Sequence, residues 1–275
     1  MFLKLRGRVL ASMAFRLRYC ARAMKVLRTG GEFADGHVRR FGRRAIWYFA
    51  GFMAVCAVFF FVSYEVVALL GLVLAFGHFT RAYDKWEHWF LGKRGELRVT
   101  RALSALPDEY VLLNDLMLPN RRGNVDHFLI GPNGLFVIET KNYAANVKCD
   151  GDQWFVNGNA AKSLSWQVKI NAIAVRKNLQ GLFAEHRAYL AFVEALLVFV
   201  KHTHRLELNY PSVHVLKAEE LVNFVSNYKP RSRAVRFTPE VVEAMVHHLQ
   251  SLQNQKRVRV ETATEPPRKA NPVHL

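Results

Sequence analysis

Val125-Asp126-His127-Phe128-Leu129-Ile130-Gly131-Pro132-Asn133-Gly134-Leu135-Phe136-Val137-Ile138-Glu139-Thr140-Lys141 is the stretch that decides the fold. Two apolar runs flank a four-residue turn. Pro132 suits the second turn position and Gly134 the fourth, as in a type I turn, so the segment predicts a β-hairpin. If Gly131 pairs with Gly134, Asp126 falls opposite Glu139, and directly opposed residues have Cβ atoms about 4.5–5.5 Å apart. Lys141, two residues past Glu139, shares its strand face. The run 135–138 is apolar at every position, which suits a strand buried on both faces. Glu139 and Lys141 then stand at the end of a buried strand. Two adjacent carboxylates repel unless a proton or a cation lies between them. A divalent cation removes the conflict, and Mg²⁺ commonly takes one or two carboxylates plus substrate phosphates. A nearby lysine then holds a phosphate or helps activate a water. The hairpin by itself fits equally well with charges solvated at its open end.

Four blocks in order carry a resemblance. They are Gly95-Glu96-Leu97-Arg98-Val99, Gly123-Asn124-Val125-Asp126-His127, the run 131–141, and Ser165-Trp166-Gln167. Together they closely resemble the nuclease-related domain, which looks like a branch of the restriction-endonuclease-like superfamily with its D…ExK core. The resemblance covers residues 92–180, about a third of the chain. It implies Asp126 and Glu139 as metal ligands, Lys141 as the catalytic lysine, and Glu96 and Gln167 as supporting site residues on flanking helices. One departure is visible: Ala145 stands where the family often has glycine after the ExK strand, which touches only a turn.

The chain has 275 residues, 51% of them hydrophobic, a net charge of +17 and a pI near 10.1. That is room for one domain of ordinary size plus appendages. Residues 1–44 hold 12 Lys and Arg against Glu32 and Asp35, so +10 of the +17 lies there. The remainder is mildly basic, which permits nucleic acid without demanding it. Cys20, Cys56 and Cys149 are scattered, and the eleven histidines form no HExxH, which argues against zinc. A reducing, cytosolic compartment fits.

Residues 1–28 carry no acid, and Leu3, Leu10, Leu17, Met24 and Leu27 recur at helical spacing between arginines. This predicts a basic amphipathic helix on an anionic membrane surface. Residues 45–79 are apolar except for Glu65, His78 and small polar residues. The first 20 of them would measure about 30 Å as a helix, enough to span the hydrocarbon core; the second run, 66–79, is shorter. Arg39, Arg40, Arg43 and Arg44 precede the segment, and Arg81, Lys85, Lys93 and Arg94 follow it. Basic flanks favour the cytoplasm, so a helical hairpin turning near Ser63-Tyr64-Glu65 is preferred over a single span.

Beyond it the pattern predicts a helix over 84–106 bearing Glu96, a strand over 110–118, a small hairpin or edge strand over 147–156, and a helix over 163–183 with Gln167 on its first turn. Strands follow over 192–200 and 213–216, and helices over 219–226 and 239–252. Arg121 and Arg122 lie in the loop before Asp126 and are candidate phosphate contacts. Lys162 and Lys169, with Arg176 and Lys177, give the 163–183 helix a basic face, and Lys162 and Lys169 join Arg121 and Arg122 as candidate nucleic-acid contacts.

The expected architecture is therefore α/β: a restriction-endonuclease-like mixed sheet flanked by helices, preceded by a membrane-anchoring helical segment. The boundaries are 1–44 basic segment, 45–80 membrane segment, 81–252 nuclease-related domain, and 253–275 disordered tail. The expected function is a membrane-anchored nuclease at the bacterial inner membrane, its catalytic domain cytoplasmic. It would use Mg²⁺ or Mn²⁺ and no small-molecule cofactor, and would act on nucleic acid, DNA favoured over RNA. The alternative is a catalytically silent tether of the same fold that binds nucleic acid or protein.

Overall fold

The structure, a computed structural model, describes residues 24–26, 32–61, 65–119, 121, 123–185, 192–200, 205–229 and 237–264; for residues 32, 33, 58–61, 65–68 and 258–264 it gives the backbone alone. Ten strands and five helices fall within them. They are β1 (Lys25–Val26), α1 (Glu32–Phe61), α2 (Glu65–Leu103), β2 (Val111–Leu116), β3 (Val125–Gly131), β4 (Gly134–Lys141), β5 (Asn146–Asp150), β6 (Gln153–Val156) and β7 (Asn159–Ala161). Then come α3 (Leu164–Glu185), β8 (Val193–Phe199), β9 (Arg205–Asn209), β10 (His214–Lys217), α4 (Ala218–Asn227) and α5 (Pro239–Thr264).

Six strands form a mixed sheet in the order β1-β2-β3-β4-β8-β10. β2, β3 and β4 are antiparallel, whereas β8 and β10 run parallel to β4. The β3–β4 register sets Gly131 opposite Gly134 and His127 opposite Ile138, which is the register the turn chemistry predicts. Alternation along β4 then decides the layers. Leu135 and Val137 face the core built on α3 and α5 with Phe128, Ile130, Val168, Val175 and Leu179. Phe136 and Ile138 face the core built on α2 and α4 with Val99, Leu103, Leu221 and Val225. Helices thus cover both faces, as a continuous apolar strand requires.

Gly131 shows how tightly the hairpin end is packed. A Cβ placed there would lie 2.7 Å from Cδ1 of Tyr110, a buried ring. Gly131→Ala is expected to cost about 1–3 kcal/mol through overpacking. Urea denaturation measures it, and an unchanged midpoint would mean that the ring moves aside freely.

Several expectations change. β5 and β6 do form a hairpin, but they belong to a second sheet, β7-β6-β5-β9, and not to the edge of the main one. α5 does not stop near residue 252. Gln253 is buried and donates to the Asp115 carbonyl at 2.9 Å, and Lys256 donates to the carbonyls of Arg121 and Gly123 at 2.5 and 3.3 Å. These contacts tie to the domain a segment that reads as a polar tail. Residues 265–275 lie outside the described residues, as does 1–23 of the expected amphipathic helix. Lys25 and Val26 pair parallel with β2 as a strand, with Met24 buried beside them, so that helix does not reach its expected end.

The membrane segment is also corrected. Among the described residues no helix is long and apolar enough to cross a membrane. α1 and α2 pack antiparallel: Tyr48 meets His78, Phe52 meets Phe76, and His37 stacks on Trp89. α2 runs unbroken for 39 residues, so the helix that carries Glu96 is the same one that leaves the pair.

Candidate metal and phosphate site

Glu139 and Lys141 share the α3-facing side of β4, and Asp126 takes the same side of β3, because residues two apart on a strand face one way. Continuing the β3–β4 register beyond its last pair sets Asp126 opposite Glu139. The Thr140 N–H donates to Asp126 Oδ2 at 2.9 Å. Glu139 is buried, at 3% exposure. Its Oε1 accepts from Lys141 Nζ at 2.7 Å and from Gln167 Nε2 at 2.5 Å, and its Oε2 from Asn171 Nδ2 at 3.3 Å. Lys141 Nζ also donates to Gln167 Oε1 at 3.1 Å. Gln167 and Asn171 are one helical turn apart on α3, so both reach one carboxylate.

Glu96 arrives from the opposite layer. A Cβ at Gly95 would lie 3.0 Å from Asn142 Cβ and 3.3 Å from Thr140 Cγ2, so α2 rides close over the end of β4. The Asn142 amide fastens this crossing by donating to the Leu91 carbonyl at 2.7 Å. Burial first, then the Glu139 and Glu96 charges, push the Asp126 carboxyl well above the usual aspartate range; Lys141 and the Thr140 N–H pull the other way without winning. Burial works against the Lys141 charge as well, but Glu139 and Asp126 outweigh it and hold its pKa above the ordinary lysine value. The site is thus short of positive charge, with Lys141 its central cation.

The remaining candidates are spread out. Arg121 donates to Asn171 Oδ1 at 2.6 Å, so it touches the site through the amide that holds Glu139. Arg122 lies outside the described residues. Lys162 is exposed between β7 and α3. Lys169 sits on another face of α3 and pairs with Asp152 at 2.9 Å. Asn171 escapes the sequence reading; its spacing of four from Gln167 is the one signal that could have found it. His127 escapes it too. It points to the α2 side, fully buried, between Asn114 Oδ1 at 2.6 Å and Thr140 Oγ1 at 3.1 Å.

Burial lowers the His127 pKa to about 3, so the ring is neutral at pH 7 and its role is to brace Thr140. The unfolded chain takes up this proton near pH 6.5 and the folded one only near 3. Stability is therefore expected to fall as pH drops from about 6.5 towards 3, by up to about 1.4 kcal/mol per pH unit. His127→Gln should flatten that slope in urea melts taken across the range; an identical slope would show that His127 does not set it.

Residues 91–200 match the family model described as nuclease-related domain. This segment is a nuclease-related domain. The family has the restriction-endonuclease-like fold, and the matched stretch takes in the end of α2, β2 to β8 and α3, every element that supplies the site. An uncharacterized protein of Bacillus anthracis is 33% identical over 84 residues, which cover 29% of this chain and 38% of that protein. The chain thus spans well under two thirds of that relative. No solved structure matches the chain significantly. Among the described residues no group of three or more His, Cys, Asp and Glu has the geometry to hold a metal ion, so the nuclease-related domain offers the Asp126–Glu139 pair and its surroundings, not a closed cage.

Proposed function

We propose that the nuclease-related domain hydrolyses phosphodiester bonds in nucleic acid with Mg²⁺ or Mn²⁺, DNA favoured over RNA. One observation carries this: two carboxylates from adjacent strands converge beside a lysine that is held charged, and burial, then the Glu139 and Glu96 charges, push the Asp126 carboxyl well above the usual aspartate range. The donor set fits the metal. It consists of hard carboxylate oxygens with an open side, and Mg²⁺ typically takes one or two carboxylates and fills its remaining positions with water and substrate phosphate. Asp126 and Glu139 would hold it. When bound, such an ion lowers the pKa of a coordinated water and neutralises phosphate charge.

The chain's own residues do the rest. Gln167 and Asn171 hold both oxygens of Glu139 in place, and the Thr140 N–H fixes Asp126. Lys141 Nζ, now on Glu139, is the cation placed to follow the charge that develops on a phosphate. Arg121 steadies Asn171 and lends a second positive charge nearby. The full-length protein in detergent, incubated with DNA and with RNA in Mg²⁺, Mn²⁺ or EDTA, tests the reading. Metal-dependent cleavage is expected; binding without cleavage under every condition would assign the silent tether instead.

The α1–α2 pair supports an attachment to lipid. Ile46, Trp47, Phe49, Met53, Leu69, Leu70, Val73, Leu74 and Phe76 are all half or more exposed. Contiguous apolar surface of this kind marks a membrane or protein contact, and Arg39, Arg40, Arg43, Arg44, Arg81 and Lys85 at its base suit anionic headgroups. The pair would dip its apolar end into the inner face of a bacterial membrane and leave the nuclease-related domain in the cytoplasm. Flotation with anionic vesicles tests it: Trp47→Glu with Leu70→Glu should keep the protein at the bottom of the gradient, and flotation unchanged by that pair would exclude the attachment.

A further inference from the structure

A groove of about 390 Å³ runs along α3 on the side away from Glu139, between that helix, the start of β8 and the segment before β10. Trp166, Lys169, Ile173 and Arg176 form a single stripe along one wall, at helical spacings. Trp166 and Ile173 are each 60% exposed, and Phe192 across the groove 52%. Tyr210, beside the lining residue Pro211, is 92% exposed on left-handed backbone at φ 47°. A cluster of exposed apolar rings beside one concavity is the kind of patch that marks an interaction site.

The groove and the site lie on adjoining faces of one helix, α3. Trp166 is next to Gln167, which holds Lys141 and Glu139. The other end lies at Val193, which pairs with Leu135 at the far end of β4 from Glu139. Its acids are engaged within the protein. The Tyr228 hydroxyl donates to Glu194, with His214 Nε2 3.7 Å from the same carboxylate; Asp152 accepts from Lys169 and from the Ser212 hydroxyl. Arg176 is exposed and makes no ion pair among the described residues. α3 has no acid in its first turn and bears Lys169, Arg176 and Lys177 against Glu185 at its end. Aromatic rings in a groove edged by cations are what a single strand of nucleic acid requires, since every base has a face to stack and every link a phosphate to neutralise. A duplex keeps its bases stacked on one another and offers the rings nothing.

We propose that this groove holds a single-stranded nucleic-acid segment running to or from the cleavage site, with bases stacked on Trp166 and Phe192 and a phosphate on Arg176. This deepens the nuclease reading by naming the strand state of its substrate. The test is made in EDTA, where no cleavage intervenes, by anisotropy of labelled oligothymidylate and of the matching duplex on the full-length protein in detergent. Trp166→Ala is expected to weaken single-strand binding about tenfold or more while Trp166→Phe keeps most of it, because one stacked base is lost and then restored. Arg176→Glu is expected to weaken it further and to lower the salt dependence by about one phosphate contact. Both positions are exposed, and circular dichroism confirms the fold of each of the three variants. Single-strand affinity unchanged in both Trp166→Ala and Arg176→Glu would overturn the proposal and give the groove to an apolar peptide. So would equal losses for strand and duplex. Absence of cleavage in Mg²⁺ beside a Trp166-dependent affinity in EDTA would instead remove the nuclease reading and leave the groove standing.

Discussion

Lys141→Ala is expected to slow cleavage by about 10²–10³, the usual cost of losing one charge contact made in the transition state. Lys141 lies 2.7 Å from Glu139 Oε1 with a side chain only 13% exposed, and Asp126 and Glu139 hold it charged. The stability effect depends on metal. With the carboxylates neutralised, the variant should melt within about 1 kcal/mol of wild type. Without metal, Glu139 becomes a buried charge lacking its cation, and losing one partner of such a pair costs about 3–5 kcal/mol. Thermal melts of the variant in Mg²⁺ and in EDTA should therefore diverge more than those of wild type. A variant that cuts at the wild-type rate would remove Lys141 from the mechanism while leaving the metal pair.

The second large effect concerns the metal itself. An ion that binds only the folded state raises the melting point, and here it would also offset the burial and the Glu139 and Glu96 charges that raise the Asp126 carboxyl. Mn²⁺ at a hundred times its dissociation constant is expected to add about 2.7 kcal/mol to wild type. Glu139→Ala should abolish that gain, since it removes one of the two carboxylates that would hold the ion. Equal Mn²⁺ shifts in wild type and variant would place the ion elsewhere.

Much of this was legible in the chain because the informative contacts are local or periodic. The hairpin register follows from Pro132 and Gly134, and it carries Asp126 to Glu139 without further information. The unbroken run Leu135 to Ile138 states that both faces of β4 are covered, and they are. What stayed hidden depends on long-range packing. Asn171 looks like any polar helix residue until α3 is laid against β4. Gln253 and Lys256 read as a solvated tail, yet they serve the backbone of the loop around Asp115 and Arg121, more than a hundred residues earlier. β9 is different: Arg205-Leu206-Glu207-Leu208-Asn209 alternates at period two and was readable as a strand, but its parallel partner β5 is far off in sequence. Asp115, opposite Asp126 in the β2–β3 register, adopts left-handed backbone at φ 52°. It does so inside β2, an irregularity that the alternation of the strand does not announce, and its carboxylate accepts from Asn124 at 2.9 Å.

The central claim is that Asp126 and Glu139 hold the ion on which cleavage depends. It is tested most directly by following nucleic-acid cleavage against Mn²⁺ concentration for wild type and Asp126→Asn, side by side and at equal protein. Asparagine keeps the shape of the side chain and removes the carboxylate that completes the pair. The account predicts a rate that saturates with Mn²⁺ and vanishes in EDTA for wild type, and no response to Mn²⁺ for the variant. Cleavage that persists in EDTA, or an Asp126→Asn protein that follows the wild-type curve, would contradict it.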